Sequence, residues 1–183
     1  MPPTGPDQRS DEALVAALNR GDTSAFDALY YRYRDWVLRL AHRLSGNADD
    51  ALDVLQETFS YLFRKFPGLV LSARMTTFLY PVVKNLSIAA RRKRERYPSD
   101  QGVPDPPANE SVRPEQARAE LSAALASLPE AQREVLLMRF VDDMSLLEIA
   151  GALGIPEGTV KSRLHNAIAT LRTDRRVREY FEP

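Results

Sequence analysis

The chain has 183 residues, 44% of them hydrophobic, which is enough for one large core or two small ones; with no cysteine it can form neither disulfides nor thiolate metal sites. Its two histidines, His42 and His165, stand far apart and offer no metal-ligand spacing. Lysine plus arginine equals aspartate plus glutamate, 25 each, so the net charge points to no nucleic-acid partner.

The charges are nonetheless segregated. Arg91-Arg92-Lys93-Arg94-Glu95-Arg96 is a basic block, while acids gather at Asp49, Asp50, Asp53 and Glu57 and again between Asp100 and Glu120. Separated patches suit a protein with one anionic and one cationic partner. No apolar run approaches the roughly 20 residues that span a bilayer, and Met1–Ser10 is polar and Pro-rich, unlike a signal peptide. A cytoplasmic, soluble protein without membrane insertion is expected.

In chain order, the pattern is helical throughout, without strand alternation. Ser10 can cap a helix through Leu14, Leu18 and Asn19 that Gly21 ends. Asp22 can cap the next, with Phe26, Leu29, Tyr30, Tyr33, Val37 and Leu40 on one face. Asn47 precedes Asp49 and Asp50, charges that favour a helix N-terminus. That helix carries Leu52, Leu55, Phe59, Leu62 and Phe63 and stops at Pro67-Gly68. After a loop to about Thr76, a helix is expected over residues 77–96, with Pro81 tolerable only near its first turn.

Residues 98–114 hold Pro98, Pro104, Pro106, Pro107 and Pro114 and almost no large apolar side chain. Such a stretch cannot offset its ordering entropy. The expected architecture is all-α: two small helical domains, 1–97 and 115–183, joined by a flexible Pro-rich linker. Beyond it, Pro114 can open a helix through Leu121 and Leu125. Ser127-Leu128-Pro129-Glu130 and Ser145-Leu146-Leu147-Glu148 both have capping-box spacing. The helix after Ser145 ends at Leu153-Gly154, and Ile155-Pro156 leads into a last helix over 157–171.

Those last two helices form a candidate helix-turn-helix. Ile149, Ala150 and Leu153 make a short apolar stripe, and Val160, Leu164, Ala167, Ile168 and Leu171 line one face of the final helix. The opposite face carries Gly158, Lys161, Ser162, His165, Asn166 and Arg172. Short polar and basic residues near a helix N-terminus suit the DNA major groove. The same pattern also fits a solvated face in an ordinary bundle.

The words themselves go further. Leu128 to Leu136 (LPEAQREVL), Ser145 to Ala150 (SLLEIA) and Gly154 to Leu164 (GIPEGTVKSRL) closely resemble the fourth conserved region of sigma factors. The resemblance implies a domain that reads the minus-thirty-five promoter element. By position it assigns DNA binding to Gly158, Thr159, Lys161, Ser162, Arg163, His165 and Asn166, with Lys161 and Arg163 on phosphates, which set register rather than sequence. The same recognition segment occurs in two-component response regulators.

Asp27-Ala28-Leu29-Tyr30 and Asp49 to Phe59 (DDALDVLQETF) resemble the second conserved sigma region. The resemblance implies that Asp50, Asp53, Gln56 and Glu57 bind the clamp helices of the polymerase largest subunit, an acceptor-rich face for basic residues. Thr76 to Ser87 (TTFLYPVVKNLS), running into the basic block, resembles the part that opens DNA and captures the minus-ten element. It assigns Phe78, Lys84, Asn85, Arg91, Arg92 and Arg94 to that site, with Asn85 in the base pocket. The family usually has Trp where Phe78 stands, commonly Asp where Ala89 stands, and Pro81 is unusual.

With no third-region domain between them, the two regions together resemble the extracytoplasmic-function group of the sigma-70 family. Expected partners are core RNA polymerase through clamp helices and flap, promoter DNA and an anti-sigma factor; no cofactor, metal or catalytic residue is expected. A response-regulator-like DNA binder would need a receiver domain, and the N-terminal half lacks alternating strands and helices. A sigma-like protein that occupies polymerase but reads DNA poorly would rest on Pro81 and Ala89. An enzyme finds no nucleophile–base constellation and no phosphate-binding Gly loop.

Overall fold

The computed structural model describes residues 7–96 and 112–178, with side chains from residue 116 in the second stretch. The described residues form eight helices and no strand: α1 (Asp11–Asn19), α2 (Ser24–Ser45), α3 (Ala48–Phe63), α4 (Met75–Arg96), α5 (Val112–Ser127), α6 (Glu130–Phe140), α7 (Leu146–Leu153) and α8 (Glu157–Thr173). The fold class is all-α. The chain divides into two compact units, Met1–Ser99 and Asp100–Pro183. The expected linker lies outside the described residues, apart from its end: α5 opens at Val112, two residues before Pro114. Pro114 is then the third helical residue, where an N–H has no intrahelical partner anyway.

In the first unit α2, α3 and α4 pack on one another and α1 packs on α2. Leu14, Leu29, Leu40, Leu62, Leu79 and Val83 are fully buried. The helix starts follow side-chain chemistry. The Ser10 hydroxyl accepts from the Ala13 N–H, and the Asn47 side chain accepts from the Asp50 N–H at 2.9 Å. Asp22 does not cap α2 as expected. The cap position is Thr23, and Asp22 instead accepts from the backbone N–H and hydroxyl of Ser24 in a tight turn. Gly46, left-handed at φ +69°, ends α2.

The α4 boundary also differs. The helix opens at Met75, so Pro81 sits in its second turn and the helix runs on through it. The buried contacts of Met75, Leu79, Tyr80 and Val83 on both sides of the proline hold the segment helical despite the missing N–H donor.

In the second unit, identical capping-box spacing gives two outcomes. At Ser145 the box closes: its hydroxyl accepts from the Glu148 N–H and the Glu148 carboxylate accepts from the Ser145 N–H at 2.8 Å. At Ser127 it does not, because Leu128 precedes a proline and is pushed out of the helical region. Ser127 ends α5 and donates to the Ala124 carbonyl, while α6 begins at Glu130 behind Pro129. The same apolar-Pro-Glu signal starts α8, behind Ile155-Pro156. Gly154, at φ +64°, makes the turn between α7 and α8.

Each unit carries a latch, an Asp-x-Arg pair outside its helices. Arg9 bonds Asp7, and Arg176 bonds Asp174 through side chain and backbone. These arginine hydrogen bonds hold each carboxyl well below the usual range, at about 2. The second latch seats Val177 in the core beside Leu128, Leu136 and Leu171.

Candidate nucleic-acid and partner interfaces

Helix α3 is a ridge between two concave surfaces. On one side Leu52, Gln56 and Phe63 join Phe26 and Tyr30 of α2 in an apolar groove of about 480 Å³. Leu52 and Phe63 are each more than half exposed there, although their neighbours Val54, Phe59 and Leu62 are buried. Phe26 meets Phe63 edge-on at 5.2 Å, and Tyr30 meets Phe59 at 4.8 Å. Asp53 is exposed on the same helix, on the crest between this groove and the opposite side.

On the other side Glu57, Tyr61 and Arg64 face a second pocket, of about 590 Å³. Its opposite wall comes from α4, through Thr77, Phe78, Pro81 and Asn85, and its lip from the loop Val70–Ala73. Arg64 borders both surfaces. Two of the four expected polymerase contacts, Gln56 and Glu57, therefore open on different surfaces, because adjacent helical residues diverge by about 100°.

The pocket is built from three segments. Phe78 stacks with Tyr61 at 6.2 Å and 29°, and the Lys65 ammonium lies 4.6 Å from the Tyr61 ring centre. The loop is tied to α1: the Asn19 amide donates to the Leu69 carbonyl at 2.8 Å and accepts from the Gly68 N–H at 2.7 Å. Beyond that tether Val70 stands 82% exposed at the lip. Asn85 is exposed on the pocket, so it is not a buried amide satisfied by backbone.

The basic end of α4 holds a different arrangement from the one expected. Arg94 is half-buried, pairs with Asp50 and donates to the Ser45 carbonyl at 2.9 Å. An expected polymerase contact and an expected DNA contact thus bind each other, joining the end of α4 to the α2–α3 corner. Arg91, Arg92 and Lys93 remain exposed, with Arg91 paired to Glu95 at 3.7 Å. Lys84 is half-buried on the preceding turns.

In the second unit, Val160, Ala167 and Leu171 bury one face of α8 against α6 and α7. Gly158, Lys161, Ser162, His165 and Asn166 are all exposed on the other; Thr159 and Arg163 are half-buried at its edges. Lys161 pairs with Glu157 at 2.7 Å, an exposed contact of little strength that a stronger anion could replace. The Ser162 hydroxyl donates to the Thr159 carbonyl at 3.1 Å. A Cβ added at Gly158 would meet nothing within 4 Å. No neighbour among the described residues explains this glycine.

Sequence reasoning missed Tyr61, Arg64 and Thr77 as pocket residues. Tyr61 and Arg64 follow Glu57 at helical spacing, and Thr77 stands two four-residue steps before Asn85, so the signals were present. Among the described residues no cluster of side chains could hold a metal ion, and no helix is long and apolar enough to cross a membrane.

Comparison with known proteins bears on both units. Residues 29–97 match the family model for sigma-70 region 2, and residues 118–171 that for sigma-70, region 4. The extracytoplasmic-function (ECF) sigma factor SigW of Bacillus subtilis is 30% identical over 173 residues, covering 86% of this chain and 92% of its relative. SigE of Mycolicibacterium smegmatis is 37% identical, covering 89% of this chain and 68% of that protein. Two solved structures share the fold. CnrH, held with the cytosolic domain of CnrY, has a TM-score of 0.63 at 23% identity over 87% of this chain and 93% of that one. RpoE, held with the anti-sigma factor NepR from Bartonella quintana, has a TM-score of 0.59 at 24% identity over 80% and 94%.

Proposed function

This chain belongs to the ECF group of RNA polymerase sigma factors, transcription initiation factors that direct the polymerase to promoters, and from that premise we propose how its surfaces divide the work. The α3 ridge carries the reading. Its groove side, with Asp53, Gln56, Leu52 and Phe63, takes the clamp helices of the polymerase largest subunit: carboxylate and amide for basic residues, apolar wall for area. Its pocket side, with Asn85, takes a base of the non-template strand at the minus-ten element once the strands part. Glu57 belongs with the pocket, and Asp50 and Arg94 hold the frame instead of touching a partner.

Helix α8 enters the major groove of the minus-thirty-five element with Gly158 at its tip. Glycine costs helix stability, and its open surroundings support close approach of a DNA backbone. Ser162, His165 and Asn166 read base edges; Thr159, Lys161 and Arg163 hold phosphates. Arg91 and Arg92 do the same downstream. Exposed Phe140, Val141 and Leu147 offer the second unit an apolar surface for the polymerase flap. An anti-sigma factor is a further partner, supported by the partners seen with CnrH and RpoE. The division into region 2 domain (1–97), linker (98–114) and region 4 domain (115–183) follows. The chain contributes binding, not catalysis, and works in the cytoplasm where the polymerase is.

The experiment is charge reversal at Asp53. Asp53→Lys should weaken core-polymerase binding at least tenfold without lowering the thermal midpoint, whereas Asn85→Ala should leave core affinity intact and slow strand opening. Unchanged core affinity of Asp53→Lys would overturn the assignment of the two sides.

A further inference from the structure

Asn19, the last residue of α1, is not among the residues that line the pocket, yet it holds the backbone on which the pocket's lip is built. Its amide uses both ends on consecutive residues. The oxygen accepts from the Gly68 N–H at 2.7 Å, and the nitrogen donates to the Leu69 carbonyl at 2.8 Å. Asparagine is the shortest side chain that offers a donor and an acceptor on separate atoms. The tether falls where the chain changes direction. Gly68 has φ +115°, a conformation that L side chains rarely adopt. Leu69 then turns into the core, and Val70 emerges 82% exposed. Val70 to Ala73 form the lip, and the chain re-enters the core at Met75, which is fully buried. The lip is thus a short span fixed at both ends, and the Asn19 amide fixes one of them. Helix α1 is itself firmly held. Leu14 and Leu18 are buried, and Arg32 of α2 donates to Asp11 at 2.5 Å and to the carbonyls of Asp7 and Arg9 at 2.8 Å each. The Tyr33 hydroxyl donates to Asp11 as well. All of this lies outside residues 29–97, the stretch that matches region 2, except Arg32, Tyr33 and the lip itself.

We propose that Asn19 is a positioning residue for downstream promoter reading: it touches no DNA, but its two hydrogen bonds to Gly68 and Leu69 hold the lip in the shape that encloses a base. An exposed lip without that tether has to order itself when the base arrives, and the ordering entropy subtracts from capture. With the tether, part of that ordering is completed on folding, so the wall opposite Asn85 stands ready. Helix α1 thereby sets base discrimination and the rate of strand opening from outside the pocket. The inference rests on the reading of the pocket as the minus-ten base site.

The test uses holoenzyme reconstituted from the full chain and core polymerase, on promoters carrying each base at the position read by Asn85. Asn19→Ala removes both bonds. It should cut discrimination at that position about tenfold and slow open-complex formation by a similar factor, the scale of two net hydrogen bonds. Asn19→Asp, which is isosteric, keeps the acceptor for Gly68 and loses the donor to Leu69; it should show the same pattern at about threefold. On a promoter pre-opened by mismatches across the downstream element, the rate defect should vanish and the loss of discrimination remain. Core-polymerase affinity and upstream preference should match the wild type. In an Asn85→Ala background, Asn19→Ala should add no further loss of discrimination, because both residues act on one base. Full discrimination in both Asn19 variants, while Asn85→Ala abolishes it, overturns the positioning role alone. Loss of core affinity and upstream preference in step with discrimination marks a general structural role and overturns it too. If Asn85→Ala changes no downstream position, the base-pocket reading falls and the positioning role with it.

Discussion

Helix α8 of the second unit carries Lys161, Ser162, His165 and Asn166 on one exposed face of a single element, whereas the pocket of the first unit gathers Glu57, Tyr61, Thr77 and Asn85 from two helices, closed by a loop. The first surface is convex and regular, so its groups move as a rigid row. The second is concave, and its shape depends on contacts far from it, including the hydrogen bonds from Asn19 to the loop backbone. A duplex presents its edges already ordered and suits a rigid row. A single-stranded base must be enclosed, which needs walls from several directions. Substitutions should therefore act locally on α8 and more broadly around the pocket.

The largest effect should come from Asn85→Ala. It removes the pocket amide and is expected to cost about 1–3 kcal/mol of base discrimination, with slower open-complex formation and upstream preference unchanged. Transcription from single-base promoter variants measures both. An equal loss at upstream positions would erase the contrast between the two surfaces. Next come Ser162→Ala and His165→Ala. Each should relax preference at one or two upstream positions by about 1 kcal/mol and leave strand opening alone.

A third substitution sharpens the comparison from the side of the frame. Asp50→Asn should destabilise the first unit by about 1–2 kcal/mol, the scale of a charge-assisted hydrogen bond, as read by denaturant unfolding of the full chain. Core-polymerase affinity should hardly change, unlike that of Asp53→Lys. A large loss of affinity with no loss of stability would return Asp50 to the polymerase face. Gly158→Ala runs the other way: about 0.5 kcal/mol more stable as a helix residue, yet weaker on upstream duplex in a binding titration.

The smallest effect concerns the two latches. Hydrogen bonds from Arg176 hold the Asp174 carboxyl down to about 2, below its unfolded value. Its contribution to stability is therefore present above about pH 4 and lost as the pH falls toward 2. Asp174→Asn should flatten the pH dependence of unfolding in that window and do little else. The matching pair in the first unit, Asp7 and Arg9, should behave alike.

What was legible in the sequence follows the same contrast. The buried and exposed faces of α8 could be read from spacing, since Val160, Ala167 and Leu171 on one side and Lys161, Ser162 and His165 on the other obey a single helical period. Asn85 was found through its neighbouring residues, but its pocket was not. Periodicity says which face a residue occupies, not which face of another helix arrives opposite it, so Tyr61 and Arg64 stayed out of view. The pairing of Asp50 with Arg94 stayed out of view for a related reason. Acids at a helix start resemble a partner surface until the arginine that meets one of them, 44 residues away, is placed. The failed cap at Ser127 was decided by a local rule, the proline after Leu128, which outranks capping-box spacing.

That proline rule has a bearing on ionic conditions. Pro156 fixes where α8 begins through the shape of a ring and the exclusion of one backbone conformation before it, and neither responds to dissolved ions. The phosphate-directed cations do respond, because each contact displaces counterions. Raising the salt should thus loosen the grip of α8 on DNA while its phase along the groove stays put. Footprints at rising ionic strength would fade in place, without sliding to a new register.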